Sequence, residues 1–98
     1  MLTFKKVFEI FKDYLDIDEQ LEVVPTKHGL AVMLWDDVGH DWSDVVCCDN
    51  PEALFDKLLD SAMLYYVYRL RMKSGVDLTD EELAQVEKAR ADYLLKRG

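Results

Sequence analysis

Four side chains in one short segment, residues 36–41, could bind a metal ion. Asp36, Asp37 and Asp41 offer carboxylate oxygens, which hard cations prefer, and His40 offers an imidazole that suits a transition metal. The segment lacks the alternating ligands and the closing glutamate of a calcium-binding loop, and Asp and Gly are common in hairpin turns. We therefore predict a turn here, and no metal or other cofactor.

The side chains that could act in catalysis are two histidines and two cysteines. His28 and His40 could be general bases near neutral pH, but both lie in predicted turns and no nucleophile occurs in a recognisable motif. Cys47 and Cys48 are adjacent, so a disulfide between them would strain the backbone, and neighbouring Asp49 disfavours a thiolate. We predict that the protein is not an enzyme. The cysteines are expected to be small core residues, and two free thiols fit the reducing cytoplasm.

A cluster of aromatic and basic residues could contact another molecule. Such clusters stack on nucleic acid strands, but the net charge of the chain is −8, which opposes contact with phosphates. Tyrosine and arginine are also frequent hot spots of protein interfaces. We therefore predict no direct binding of nucleic acid. The cluster is predicted to be a secondary protein interface formed by Tyr65, Tyr66, Tyr68 and Arg69.

Acidic residues are concentrated in two segments. Nine of the chain's twenty acidic residues lie within residues 16–22 and 36–50, where there is no lysine or arginine. Such a surface repels nucleic acid and anionic membranes and attracts basic protein surfaces, although acidic charge also simply keeps small proteins soluble. No apolar run approaches the ~20 residues that span a bilayer, so no membrane contact is predicted. The predicted partner-binding residues are Asp36, Asp37, Asp41, Asp44, Glu19 and Glu22.

The element expected to organise the chain is one long helix at residues 51–73. Asn50 is predicted to cap it, Pro51 fits the first helical position, where its missing N–H costs nothing, and Gly75 is expected to end it. Its apolar stripe is too wide for a single coiled-coil seam, so we expect it to serve more than one neighbour. The stripe consists of Leu54, Phe55, Leu58, Leu59, Ala62, Tyr65, Tyr66 and Leu70.

Two further helices are predicted, one near each end of the sequence. Thr3 is a plausible cap for a first helix at residues 4–15, whose apolar residues recur with helical spacing. Thr79 and Glu82 have the spacing of a capping box, which predicts the start of a third helix. The apolar face of this third helix is thinner than those of the other two.

Three strands are predicted at residues 21–24, 30–35 and 42–48. The connecting loops are too short for a crossover, so the strands form an antiparallel meander. The strand at 30–35 is apolar on both faces, so it should be central, and either covered on both sides or covered on one and adhesive on the other. Alternation places Trp42, Asp44, Val46 and Cys48 on one face of the third strand. The predicted fold is a single α+β domain over residues 1–98, with the order α-β-β-β-α-α and the meander packed against helices.

Three segments of the chain resemble short proteins carried by bacterial prophages and conjugative elements. These segments are LTFKKVFEIFKDYL, AVMLWD and NPEALFDKLLDS. The element order, small size and acidic surface are also similar to those of a DNA-mimicking anti-CRISPR protein that inhibits type II-A effector nucleases. This second resemblance implies a non-catalytic inhibitor, and no functional residue is carried over from it.

The leading hypothesis from the sequence is a protein-binding module from a mobile element. Its acidic surface would occupy a basic site on a partner, such as a nucleic-acid-binding enzyme. The alternative is a small structural or oligomeric subunit, in which the apolar strand face and the tyrosine-rich helix pack on another copy.

Overall fold

The structure, a computed structural model, describes residues 1–75 and 77–98. Its three strands form one antiparallel sheet in the order β1-β2-β3. The predicted fold class, α+β with a three-stranded meander in the order α-β-β-β-α-α, is confirmed, since α1 and α2 together replace the first predicted helix. The elements are α1 Phe4–Ile10, α2 Lys12–Ile17, β1 Leu21–Thr26, β2 Gly29–Asp36, β3 Asp41–Cys48, α3 Pro51–Ser74 and α4 Asp80–Arg97.

The chain divides into two compact units, Met1–Lys57 and Leu58–Gly98. The first contains α1, α2, the sheet and the first turns of α3, and the second contains the rest of α3 and α4. That all residues form one domain stays a prediction. Within the described part of the chain, no helix combines the length and the apolar character that crossing a bilayer requires.

The prediction of one continuous first helix was wrong, because the chain bends at Phe11 and forms two short helices, α1 and α2. There φ is −100° and ψ is 12°, and the Phe11 N–H is shared between the carbonyls of Val7 and Glu9. The Phe11 side chain is fully buried, with its ring edge-on to Phe55 at a centroid distance of 5.2 Å. After the bend, the Asp13 carboxylate accepts the Tyr14 N–H at 2.8 Å. Short polar side chains often form such local bonds to the backbone, which compete with the regular hydrogen bonds of a helix.

The predicted helix caps are confirmed. Thr3 Oγ1 accepts the Lys6 N–H at 3.1 Å, and Asn50 Oδ1 accepts the Ala53 N–H at 2.8 Å. At the start of α4, Thr79 and Glu82 form both hydrogen bonds of the predicted capping box. Each bond satisfies a backbone donor that has no partner within the helix.

Gly29 is required at the hairpin between β1 and β2. Its φ is +120°, and a Cβ at this position would lie 2.5 Å from the carbonyl oxygen of Cys48 on β3. The Thr26 hydroxyl completes the turn by accepting the His28 N–H and donating to the Gly29 carbonyl. Glycine therefore allows β2 to pass close to the end of β3.

The predicted alternation of the third strand was wrong, because β3 contains a β-bulge. Leu34 pairs with Ser43 and Val32 pairs with Val46, so Met33 faces two residues of β3 instead of one. The first of these, Asp44, has a φ of +52°, a left-handed conformation that aspartate tolerates better than most residues. The extra residue reverses the alternation, so Trp42 lies on the face opposite Val46 and Cys48.

The two faces of the sheet differ in burial. The inner face holds the buried side chains of Leu21, Val32 and Cys48. The outer face holds half-buried Met33 and Trp35, with exposed Trp42 and Cys47. The structure thus confirms β2 as the central strand. Each face of β2 holds one buried residue, Val32 on the inner face and Ala31 on the outer face, and its other apolar residues are half-buried.

The second unit is formed by the continuation of α3 and by α4. The buried residues of this part of α3 include Leu58, Leu59 and Ala62. On α4 the buried residues are Val86 and Tyr93, which confirms the thin apolar face predicted for this helix. Tyr66, in the half-buried part of the predicted stripe, has its hydroxyl 3.0 Å from the Tyr93 hydroxyl.

Two leucines of α3 provide a matched test of this burial pattern. Leu58 is fully buried, whereas Leu64 is 71% exposed on the same helix. We expect Leu58→Ala to lower the free energy of unfolding by about 2–5 kcal/mol, because the truncation leaves a cavity. Leu64→Ala should change it by less than about 0.5 kcal/mol. Urea denaturation measures both values, and equal losses would contradict the burial pattern.

Candidate partner-binding surface

Three predicted site residues lie together at the turn between β2 and β3. Asp36 pairs with Asp41 across the two strands, and Asp37 follows in the turn. Asp36 Oδ1 accepts the Val38 N–H at 3.0 Å, and Asp41 Oδ1 accepts the Trp42 N–H at 2.8 Å. Asp36, Asp37 and Asp41 are all exposed, so local hydrogen bonds orient their carboxylates without removing them from water.

Gln20 joins this turn to the other acidic segment. Its carbonyl accepts the Trp35 N–H at 2.8 Å, which extends the pairing of β1 with β2 by one residue. Its side-chain amide donates to Asp37 Oδ2 at 3.3 Å. Exposed Glu19, the preceding residue, is therefore brought to the same end of the sheet. The four acidic residues Glu19, Asp36, Asp37 and Asp41 are called the acidic end below.

A buried carboxylate fixes the position of Gln20. Asp18 is only 8% exposed, although it belongs to the acidic segment at residues 16–22. Its Oδ2 accepts the hydroxyl of fully buried Tyr14 at 2.6 Å, and its Oδ1 accepts the Gln20 N–H at 3.1 Å. Asp18 thus contributes to the structure of the loop instead of to the acidic surface.

An aromatic cluster, which the sequence analysis missed, lies beside the acidic end. Trp35 and Trp42 are paired across the strands with their rings edge-on at 5.1 Å, and the His40 ring lies 6.2 Å from Trp35. His40 reaches this position with a φ of +50° at the end of the turn. The sequence does place one tryptophan near each end of the predicted turn. Whether the two side chains lie on the same face of the sheet depends on the strand register, which the sequence analysis did not have.

The two other predicted acidic residues lie apart from the acidic end. Asp44 is in the bulge, where its Oδ2 is 3.3 Å from Lys57 Nζ. This cation, which the sequence analysis did not consider, offsets the charge of Asp44. Glu22 is an exposed residue of β1 that pairs with Met33 of β2, further along the strands.

The predicted secondary interface belongs to the second unit. Tyr68 and Arg69 are exposed, whereas Tyr65 and Tyr66 are half-buried with their rings edge-on at 5.9 Å. The Arg69 guanidinium lies over the Tyr65 ring at 5.8 Å from the centroid, a cation–π contact. Tyr66 is hydrogen-bonded with Tyr93, so Tyr68 and Arg69 are the members most open to another molecule.

The described side chains contain no group of three or more His, Cys, Asp or Glu arranged to hold a metal ion. The prediction that both cysteines are core residues is confirmed for Cys48, which is buried, and wrong for Cys47, which is exposed. The Cys47 thiol contacts the His28 carbonyl oxygen at 3.2 Å. Burial raises the pKa of the Cys48 thiol, and the negative charges of Cys47 and Asp49 raise it further, while Lys57 opposes them. The two thiols therefore differ in their access to solvent.

Comparisons with protein-family models, with curated proteins and with solved structures gave no match.

Asp18 can be tested against a nearby exposed aspartate. Asp18→Ala leaves the buried Tyr14 hydroxyl without this acceptor, and we expect a loss of about 1–3 kcal/mol in the free energy of unfolding. Asp16→Ala removes only an exposed ion pair with Lys12, of 3.0 Å, and should cost less than about 0.5 kcal/mol. Chemical denaturation compares the two variants. Similar losses would show that Asp18 does not anchor the loop.

The cysteines should react one at a time. In the folded protein at pH 8, we expect a thiol reagent to modify Cys47 quickly, because Cys47 is exposed. Cys48 should react only after unfolding, because it is buried and its burial raises the pKa of its thiol. Time-resolved mass spectrometry counts the modified thiols, and Cys47→Ser identifies the fast one. Two equally fast reactions in the folded state would contradict the buried position of Cys48.

Proposed function

We propose that this protein is a non-catalytic binding module that uses its acidic end to occupy a basic surface of another protein. One observation carries the proposal. Two acidic segments that are distant in the sequence meet at one end of the sheet, where Gln20 bonds to both Trp35 and Asp37. Four exposed carboxylates are gathered there, while the more distant Asp44 is paired with Lys57.

The local hydrogen bonds make the acidic end suited to binding. Asp36, Asp37 and Asp41 each have one oxygen held by a nearby N–H group. Less conformational freedom is then lost on association, which is how a preorganised surface gains affinity. The second carboxylate oxygen of each residue is available to a lysine or arginine of the partner.

The neighbouring aromatic side chains would supply contacts at short range. Charges accelerate the encounter of two proteins but contribute less to the lifetime of a complex than buried aromatic residues do. Trp42 is 40% exposed and lies beside Asp41, so a partner bound to the carboxylates would also cover part of the tryptophan pair. This combination favours a protein partner over a simple counterion.

The partner class that fits best is a nucleic-acid-binding enzyme, whose basic groove normally holds phosphates. A set of oriented carboxylates can occupy such a groove as a DNA mimic, and a type II-A CRISPR effector nuclease is the specific candidate. In this proposal the protein is a phage or mobile-element inhibitor of the anti-CRISPR kind. It acts in the cytoplasm, where free Cys47 and Cys48 stay reduced.

The test uses the variant D36N/D37N/D41N and a guide-loaded type II-A effector nuclease. Asparagine keeps the oxygens that accept the local hydrogen bonds, so the fold should be retained. We expect the wild-type protein to bind the nuclease and slow DNA cleavage. The variant should associate about tenfold more slowly, with a weaker dependence on salt, because exposed charges are screened over ~8 Å at physiological ionic strength.

The matched control is E9Q/E87Q/D92N, which removes the same number of charges from exposed helical positions. The control should associate nearly as fast as the wild type, because it lowers the net negative charge by the same amount but leaves the acidic end intact. Equal effects of the two triple variants would reject the acidic end as the binding surface. Absence of any binding to the nuclease would reject that enzyme class as the partner.

A further inference from the structure

The second half of α3 exposes an apolar face that the acidic end does not involve. Leu64, Tyr68 and Met72 are 71%, 60% and 65% exposed, although each is large and apolar. With Val67 and Arg71 they line a shallow groove along the helix. The spacing of four residues between successive members places them on one side of α3.

This face points away from α4. At about 100° per residue, Leu64 and Tyr66 lie roughly 160° apart around the helix axis. Tyr66 is on the side of α4, because its hydroxyl is 3.0 Å from that of Tyr93. Buried Ala62 falls on that same side. The Leu64 side of α3 is therefore the solvent side of this unit.

Opposite charges stand at the two ends of the apolar face. Asp60 lies one turn before Leu64, and Arg71 lies two turns after it, so both are on the same side of the helix. They are separated by about 16 Å along the axis, and both are exposed. Arg71 also contacts Asp77 at 3.1 Å, but this pair is on the surface and can exchange for another partner.

We infer that this face binds a second copy of the chain, with the two α3 helices antiparallel. A twofold axis between residues 65 and 66 brings Asp60 of each copy opposite Arg71 of the other. The same axis places Leu64 of each copy opposite Val67 of the other, beside Tyr68. The face is thus complementary to itself in charge, whereas a parallel pair would place like charges together.

The inferred dimer is independent of the proposed function, and its interface is small. A single helix pair buries less surface than a standard stable interface, so we expect dissociation in the micromolar range or weaker. Sedimentation equilibrium of the full chain over a wide concentration range should therefore show a monomer–dimer equilibrium. A monomer at every concentration up to millimolar would overturn the inference.

Charge reversal tests the pairing. D60R and R71E should each weaken self-association about tenfold, because each puts like charges opposite one another. An equimolar mixture of the two variants should restore association, since every facing pair is then attractive. Failure of the mixture to associate better than either variant alone would overturn the pairing of Asp60 with Arg71.

Two controls separate the inferred contact from other effects. D77N removes the ion pair within the chain and should leave self-association unchanged or stronger. L64Q should weaken self-association about tenfold, whereas L95Q, at a leucine of α4 that is 78% exposed, should not. Equal effects of L64Q and L95Q would show that the helix face is not specific and would overturn the inference.

The direction of the helices can be measured separately. Spin labels at position 72, in a Cys47→Ser background, should lie about 20 Å apart along the axis of an antiparallel dimer. Labels in direct proximity would show a parallel pair and would overturn the inferred arrangement.

Discussion

The structure of the acidic end depends on a carboxylate that is not part of it. Asp18 has left water almost completely, which costs free energy unless its oxygens find donors. The Tyr14 hydroxyl and the Gln20 N–H supply those donors, and Gln20 in turn bonds to Trp35 and Asp37. A continuous series of hydrogen bonds therefore connects the core to the hairpin turn. Among the exposed carboxylates, Asp37 is thus connected to the buried carboxylate of Asp18 through Gln20.

The bulge in β3 has a comparable influence on the sheet. By inserting one extra residue at Asp44 and Val45, it lets the same strand place Cys48 in the core and Trp42 beside Trp35 on the outer face. A regular strand would have put both on one side. The cost is a left-handed backbone at Asp44, and that residue also forms the ion pair with Lys57.

Much of the fold could be predicted because its signals are local. The Thr79 capping box, the glycine at position 29 and the apolar period of α3 depend on neighbouring residues alone. The bend at Phe11 and the bulge have no such local signal, and the contacts at both are with distant residues: Phe11 contacts Phe55, and Asp44 contacts Lys57. The same distinction applies to the candidate site. The turn aspartates were evident from composition, but the role of Gln20 and the burial of Asp18 depend on how the loop meets the hairpin.

The irregular edges of the sheet also bear on aggregation. A three-stranded sheet has two edge strands, and unpaired N–H and C=O groups on such edges can recruit strands of other molecules into fibrils. Here β1 carries Pro25, which lacks an N–H, and β3 carries the bulge with the charged Asp44. Neither edge is a regular template for strand addition. Trp42 and Val45 are thus accessible on a sheet whose irregular edges disfavour the addition of further strands.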